Sequence, residues 1–371
     1  MRFCAIICEY NPLHLGHAYH IRRTLEELKP DVLVCVMSGN FVQRGEPAVK
    51  GKFTRAAWAI KAGADVVLEL PAVFACAPAE NFALGAVSIL SRIRAVKHLS
   101  FGSESGDIDR LREYSEKLRN KDIKETLKEG ESYASSFADA DFLSNNILAV
   151  EYIRAIDRLS SHITPFTVKR MGSDYNSLSK GEAYCSASFL RKALSEGDFD
   201  AVKKHTPQYV WRELKQASFD EALFAMACHA ILTRGPKALE GAAYVSEGLH
   251  NRIYRAARES LSFAELVEKI RTKRYPSSKV RRILINILLG VDKELVESAK
   301  GGPFYARVLA LKKGREDVLA EIKKDLPLIA RSEDYRNFSC PALEVDILSS
   351  HIYSKISREK VNDFSAGLVK V

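Results

Sequence analysis

Near the start of the chain, His14 and His17 flank Gly16 just after the stretch Glu9-Tyr10-Asn11-Pro12. An apolar run, Phe3–Cys8, precedes them and reads as a buried strand; a helix-compatible segment, Ala18–Leu28, follows. A strand-to-helix turn of this kind sets imidazoles beside the unpaired N–H groups of a helix N-terminus, which is a favourable place for an anionic phosphate. Pro12 stiffens the turn and Gly16 lets the backbone approach a ligand closely. Packing histidines would share the spacing, but strand before and helix after favour phosphate chemistry. The two rings then act by stabilising charge at a phosphorus, not by covalent attack.

Ser186, Ser188 and Arg191 form the second element, at the start of a segment that reads as a helix, Ser186–Leu194. Hydroxyls there cap the helix and can hold phosphate oxygens, with Arg191 alongside. Gly102, just past an apolar stretch, leaves room for an adenine or ribose; Asn145 and Arg170 are candidates for base and phosphate contacts. The glycine-bearing loop Ser38–Pro47 falls on the same rim as the histidines and suits the wall of a second-substrate pocket. Farther on, residues 271–282 contain six basic side chains and no acidic one: Arg271, Lys273, Arg274, Lys279, Arg281 and Arg282. Such a run suits nucleic-acid phosphates, with Tyr275 available to stack on a base.

Positioning these groups requires a sheet. Phe3–Cys8, Asp31–Met37, Asp65–Leu70 and His98–Phe101 read as strands, alternating with helices over Ala18–Leu28, Phe53–Ala62 and Glu80–Ile93. Continuous apolar strands between helices predict a Rossmann-like, doubly wound parallel α/β sheet, whose ligands bind beyond the carboxyl ends of the strands. A charged segment, Asp107–Ala140, has the look of an insertion or lid; a helix at Ile147–Leu159 and a strand at Pro165–Arg170 follow. Helical periodicity then runs through Phe219–Thr233, Gly248–Ser260, Phe263–Arg271 and Lys279–Leu289, with strands expected at Ala306–Lys312 and Pro327–Ala330. The expected organisation is a nucleotide-binding domain over 1–200 and a mainly helical, basic domain with a small mixed end over 201–371.

With 371 residues, 46% hydrophobic and 28% charged, the chain can bury sizeable cores, and its net charge of +9 is compatible with a polyanionic partner. The cysteines are odd in number, 7, and lack any CxxC pair, which points to reduced core thiols and to no structural zinc. No apolar run has the length of a membrane span, and the first strand starts almost at once, so a cytoplasmic protein is expected.

The His14–His17 turn resembles the HxGH signature of the nucleotidyltransferase superfamily, and Ser186–Arg191 resembles the SxSxxR element that holds the β- and γ-phosphates there. Glu9–His17, Met37–Pro47 and Ser186–Arg191, with Lys273-Arg274-Tyr275 and Leu343–Ile347, together resemble the bacterial tRNA(Met) cytidine acetate ligase family. That resemblance implies an enzyme joining acetate to ATP, with pyrophosphate released, then passing the acetyl group to N4 of the wobble cytidine of elongator tRNA(Met). It implies catalytic roles for His14, His17 and Arg191. ATP contacts are implied at Ile7, Cys8, Glu9, Tyr10, Asn11, Pro12, Leu13, His14, Leu15, Gly16, His17, Ala18, Tyr19 and His20. Gly102, Asn145, Arg170, Ser186, Ser188 and Arg191 complete the ATP set, with Mg²⁺ to screen the phosphates. Ser144 stands where the family commonly has proline and Asn146 is adjacent, which leaves open which asparagine makes the contact. Two other readings share the motifs: an adenylyltransferase acting on a small phosphorylated metabolite, and an RNA-binding protein without turnover.

Overall fold

The computed structural model describes residues 1–120, 144–170, 185–215, 219–246, 248–364 and 368–371, apart from the side chains of 119, 120, 144 and 145. Five parallel strands form the centre: β1 (Phe3–Cys8), β2 (Val32–Ser38), β5 (Val66–Leu70), β6 (Val96–Ser103) and β7 (Thr164–Lys169). Their order, β5-β2-β1-β6-β7, reverses direction of growth on either side of β1. Between β2 and β5 lies a small antiparallel hairpin, β3 (Phe41–Val42) and β4 (Glu46–Pro47).

Alternation of side chains along the strands explains why the sheet is covered twice. Phe3, Ala5, Val34, Val36 and Leu68 feed one core; Cys4, Ile6, Leu33, Cys35 and Met37 feed the other. Every residue of β2 and β5 is buried, as expected of parallel strands with helices on both faces. Helix α1 (Leu15–Leu28) and helix α2 (Lys52–Ala62) cover one side, and the helices Ala79–Arg92 and Ser144–Arg158 the other. All seven cysteines are unpaired.

Helices follow from residue 220: Asp220–Leu239, Leu249–Glu259, Phe263–Ile270 and Ser277–Leu289. Their apolar faces, through Leu223, Ile253, Leu266 and Ile283, join the core formed by one face of the sheet. Three further strands, β8 (Ala306–Leu311), β9 (Leu328–Ile329) and β10 (Val369–Lys370), come from the end of the chain. β8 pairs antiparallel with β5 and β10 lies beyond it, so the sheet acquires an antiparallel edge on an otherwise parallel centre. A buried ion network selects that pairing. Lys52 and Arg307 each contact both Glu69 and Asp363, at 2.7 to 3.0 Å. Two cations against two carboxylates leave no net charge to bury, and such networks are better at specifying a register than at adding stability.

Of the segment expected as an insertion, the helix Ile108–Asn120 is described and 121–143 lie outside the described residues. Among the described residues, no helix is long and apolar enough to cross a membrane.

Candidate active site

The strand order switches between β1 and β6, which opens a crevice at their carboxyl ends. Four rim segments converge there: residues 9–17 after β1, the loop 39–51 after β2, the end of β6 at Ser100–Ser103, and Arg170 after β7.

Tyr10 turns the chain out of β1 with φ at 49°, and the Asn11–Pro12 peptide is cis. His14 then caps α1 in an arrangement usually made by serine and glutamate. Its Nδ1 accepts the Gly16 N–H at 3.1 Å, and the His17 Nδ1 accepts the His14 N–H at 3.3 Å. The consequence is chemical. A ring nitrogen that accepts a backbone N–H carries no proton, so each neutral imidazole holds its proton on Nε2 and keeps that donor for a ligand. The rings stack 3.7 Å apart between centroids, and Tyr10 braces the edge of His17 at 5.1 Å.

Burial keeps these rings neutral. It lowers His14 to about 3, assisted by the positive charges of Arg170 and His205. His17 is pushed well below its ordinary value by burial, then by His14, Arg170 and His20. His20 falls to about 4 by burial and the nearness of Arg170. Its Nε2 meets the Ser100 Oγ at 3.0 Å, and Ser100 meets the Thr24 Oγ1 at 2.7 Å. Because Thr24 gives its own proton to the His20 carbonyl, Ser100 must donate to Thr24 and accept from the His20 Nε2–H. His20 therefore spends its Nε2 donor inside the protein, whereas His14 and His17 do not.

The helix Ala187–Glu196 brings the second motif across the crevice. Ser186 Oγ caps it by accepting the Phe189 N–H at 3.2 Å. Arg191 is anchored at all three nitrogens: Nε to Glu46 Oε1 at 2.8 Å, Nη1 to the Asn11 carbonyl at 2.9 Å, and Nη2 to Ser188 Oγ at 3.2 Å. The contact with Glu46 is an ion pair and the other two are hydrogen bonds, so one N–H on each terminal nitrogen stays uncommitted. Residues 180 positions apart thus meet on the carbonyl of Asn11. Gly102 lies under Arg170, where an added Cβ would stand 3.3 Å from Cγ of that side chain.

The remaining expected contacts divide. Asn11 and Leu13 are buried and serve the loop itself, Asn11 Oδ1 taking the Val49 N–H at 2.8 Å. Glu9 Oε1 accepts the Gln43 N–H at 2.7 Å, and its burial raises its pKa. Ile7, Cys8, Pro12, Leu15, Gly16, Ala18 and Tyr19 belong to β1, its turn and the start of α1, so they share the rim by connectivity. Asn145 begins the helix Ser144–Arg158, but its side chain lies outside the described residues. Asn146 is buried, with Oδ1 holding the Glu104 N–H at 3.0 Å, a structural engagement at the end of β6.

Two partners, one half-buried and one fully buried, were missed in the sequence. Glu46 sat unremarked in the rim loop. Arg55, fully buried in α2, gives its guanidinium to the carbonyls of Glu9, Ser38, Gly39 and Lys50. It clasps the ends of β1 and β2 together. Its signal was its place: Lys52, Arg55, Ala56 and Ala59 share one helical face, so two charges interrupt a buried stripe.

The basic segment requires correction. Tyr275 is 6% exposed, its hydroxyl within 2.7 Å of the Ser246 Oγ, and Lys279 Nζ lies 4.3 Å from its ring centroid; it offers no open face for a base. Arg271 is paired with Glu268 at 2.6 Å, a carboxylate just outside the run. Arg282 turns inward to the Gln43 carbonyl at 3.3 Å. Arg281 lies over the Phe263 ring, while Lys273 remains exposed and Arg274 partly so.

Fold and site together define a HIGH nucleotidyltransferase, and a family model described as HIGH Nucleotidyl Transferase matches residues 1–366. A tRNA(Met) cytidine acetate ligase of Thermoanaerobacter sp. (strain X514) is 38% identical over 383 residues, covering 95% of each chain. One from Clostridium perfringens (strain SM101 / Type A) is 38% identical over 384 residues with the same coverage. Crystal structures of Thermotoga maritima TmcAL, 30% identical, superpose over 100% of both chains with TM-scores of 0.89 for the apo form and 0.87 for the form bound with alpha-thio ATP. The chain belongs to the tRNA(Met) cytidine acetate ligase family.

Proposed function

We propose that this protein is an ATP-dependent ligase that activates acetate as acetyl-adenylate and transfers the acetyl group to N4 of the wobble cytidine of elongator tRNA(Met). The observation that carries the reading is the pair of Nε2–H donors on His14 and His17 at the start of α1, with Arg191 tied to the same loop at the Asn11 carbonyl. Family membership supplies the substrates, and the solved relative bound with alpha-thio ATP supports a nucleotide in this crevice.

An acetate oxygen attacks the α-phosphorus, the bond to the β-phosphate oxygen breaks, and pyrophosphate leaves. Negative charge grows on the α-phosphoryl oxygens, where neutral donors stabilise it without a proton leaving the imidazoles. Arg191 and Arg170 offset the remaining phosphate charge, with Ser186 and Ser188 beside them. Among the described residues no cluster of histidine, cysteine or carboxylate side chains could hold a metal ion. Mg²⁺ bound with ATP would screen the phosphate charge beside Arg191 and Arg170. In the second step the cytidine N4 attacks the acetyl carbonyl carbon, AMP leaves with the bonding electrons, and N4 gives up a proton. The cytidine must leave its stack to reach that carbon.

In this reading residues 1–200 carry the ATP chemistry, and the helices beyond them present RNA through Lys273, Arg274 and Arg281, in the cytoplasm where tRNA is found. Incubation with labelled acetate, ATP and tRNA, followed by nucleoside analysis, tests it. Label in N4-acetylcytidine is expected. A nucleotide-linked metabolite with unlabelled tRNA would establish the adenylyltransferase reading instead, and RNA binding without acetate-dependent pyrophosphate release would establish a silent binding protein.

A further inference from the structure

The hairpin β3–β4 stands between the basic helix and the ATP crevice and touches both. On one flank its Gln43 N–H is held by Glu9 and its Glu46 pairs with Arg191. On the other, the Gln43 carbonyl accepts from Arg282. Gly45, with φ at +72°, approaches the helix Ser277–Leu289 so closely that a Cβ would lie 2.3 Å from the Arg282 nitrogen and 2.4 Å from the Arg281 carbonyl carbon. At the tip of this wedge sits Arg44, exposed and without a hydrogen bond or ion pair among the described residues. The nearest acidic side chain in sequence, Glu46, is already engaged with Arg191. The turn that carries this arginine packs, at Gly45, against a helix carrying Arg281 and Arg282, so positive charges gather along one edge. A polyanion would relieve their repulsion.

We propose that Arg44 is an RNA contact: it binds a phosphodiester of the anticodon strand and carries that strand from the basic helix, across the hairpin, to the crevice. The inference rests on the ligase reading for its choice of RNA as the polyanion. The geometry adds a reason for placing the contact at this residue. Arg44 is one step from Gln43 and two from Glu46, both joined to ATP-site residues, so a phosphate held here lies beside the adenylation site and not on a remote face. An arginine suits the task because its planar fork can meet two phosphate oxygens together.

Arg44→Glu, Arg44→Ala and Arg44→Lys separate the possibilities, because a turn-tip side chain without partners can be changed without unfolding the chain. Binding of elongator tRNA(Met) is measured by filter retention across a salt series, and ATP–pyrophosphate exchange with acetate is measured without RNA. Arg44→Glu is expected to weaken tRNA binding by about tenfold and to lower the salt slope by roughly one, Arg44→Ala less so, and Arg44→Lys to retain most of the affinity. Exchange without RNA is expected to fall less than tRNA affinity does, because Arg44 is exposed at the tip of its loop. Unchanged tRNA affinity and salt slope in Arg44→Glu would overturn the proposal, as would a parallel fall in exchange, which would place Arg44 on ATP. Failure of the parent protein to acetylate tRNA would overturn the ligase reading instead, and the binding series would still decide the role of Arg44.

Discussion

The imidazoles of His14 and His17 stack with centroids 3.7 Å apart, and each ring uses Nδ1 to accept a backbone N–H. One atom of each ring therefore builds the helix start, and the opposite atom, Nε2, keeps its proton. Structural and chemical roles are divided within a single side chain, and substitution can separate them.

Asparagine places its Oδ1 where a histidine places Nδ1. His14→Asn is thus expected to keep the cap on α1 and the melting temperature, while losing the Nε2–H donor. His14→Ala should lose both. The cap is worth about 1 kcal/mol and a charge-stabilising donor about 10²–10³ in rate. Thermal melts and acetate-dependent pyrophosphate exchange read the two effects. Equal destabilisation by both variants would show that the cap does not depend on the ring nitrogen.

Acidification should show the histidines as neutral groups. His14 and His20 lie at about 3 and 4 in the folded state, and His17 is lowered as well, so all three take up protons at higher pH when unfolded. The unfolded chain then binds more protons between its ordinary value of about 6.5 and those folded values. Stability contributed by these groups is intact above that ordinary value and lost as pH falls through the window to about 3. Imidazole NMR of the ligand-free protein should show none of the three titrating near neutrality. A midpoint close to 6.5 for His14 would contradict the assignment.

Glu46 forms an ion pair with Nε of Arg191, while the terminal nitrogens bond to Asn11 and Ser188 and keep one further N–H each. Glu46→Ala is expected to lower kcat for pyrophosphate exchange by about tenfold, the scale of a lost charge-assisted bond. Glu46→Gln keeps an acceptor and should retain most of the rate. If glutamine proved as damaging as alanine, charge and not orientation would be the contribution of Glu46.

Arg55→Ala would strand carbonyls at the ends of β1 and β2 in the interior. Each buried acceptor left unpaired costs about 1–3 kcal/mol, so a loss of about 3 kcal/mol or more is expected from urea unfolding. Gly102→Ala should behave oppositely. Its Cβ would crowd only the flexible Arg170 side chain, at 3.3 Å. Stability should hold within about 0.5 kcal/mol while KM for ATP rises, because Arg170 is displaced from the crevice. A large fall in melting temperature would show Gly102 to be a packing residue.

Much of this was legible in one dimension. Continuous apolar strands alternating with helices placed β1, β2, β5 and β6, and the His14–His17 turn lay directly after the first of them. Local rules suffice there, because burial on both faces and a helix start leave marks on neighbouring residues. The hydroxyl of Ser186 at the start of a helical stretch also announced the cap that the helix Ala187–Glu196 carries. Other features depend on partners hundreds of positions away. β8 was readable as a strand, but its antiparallel place beside β5 is selected by Lys52, Glu69, Arg307 and Asp363 meeting in the interior. Tyr275 and Arg282 looked like ligands for RNA until packing turned one ring and one guanidinium inward. Residue types and local periodicity state what a side chain can do. Which donors remain unspent for a ligand is decided by who else reaches them, and that is a property of three-dimensional proximity alone.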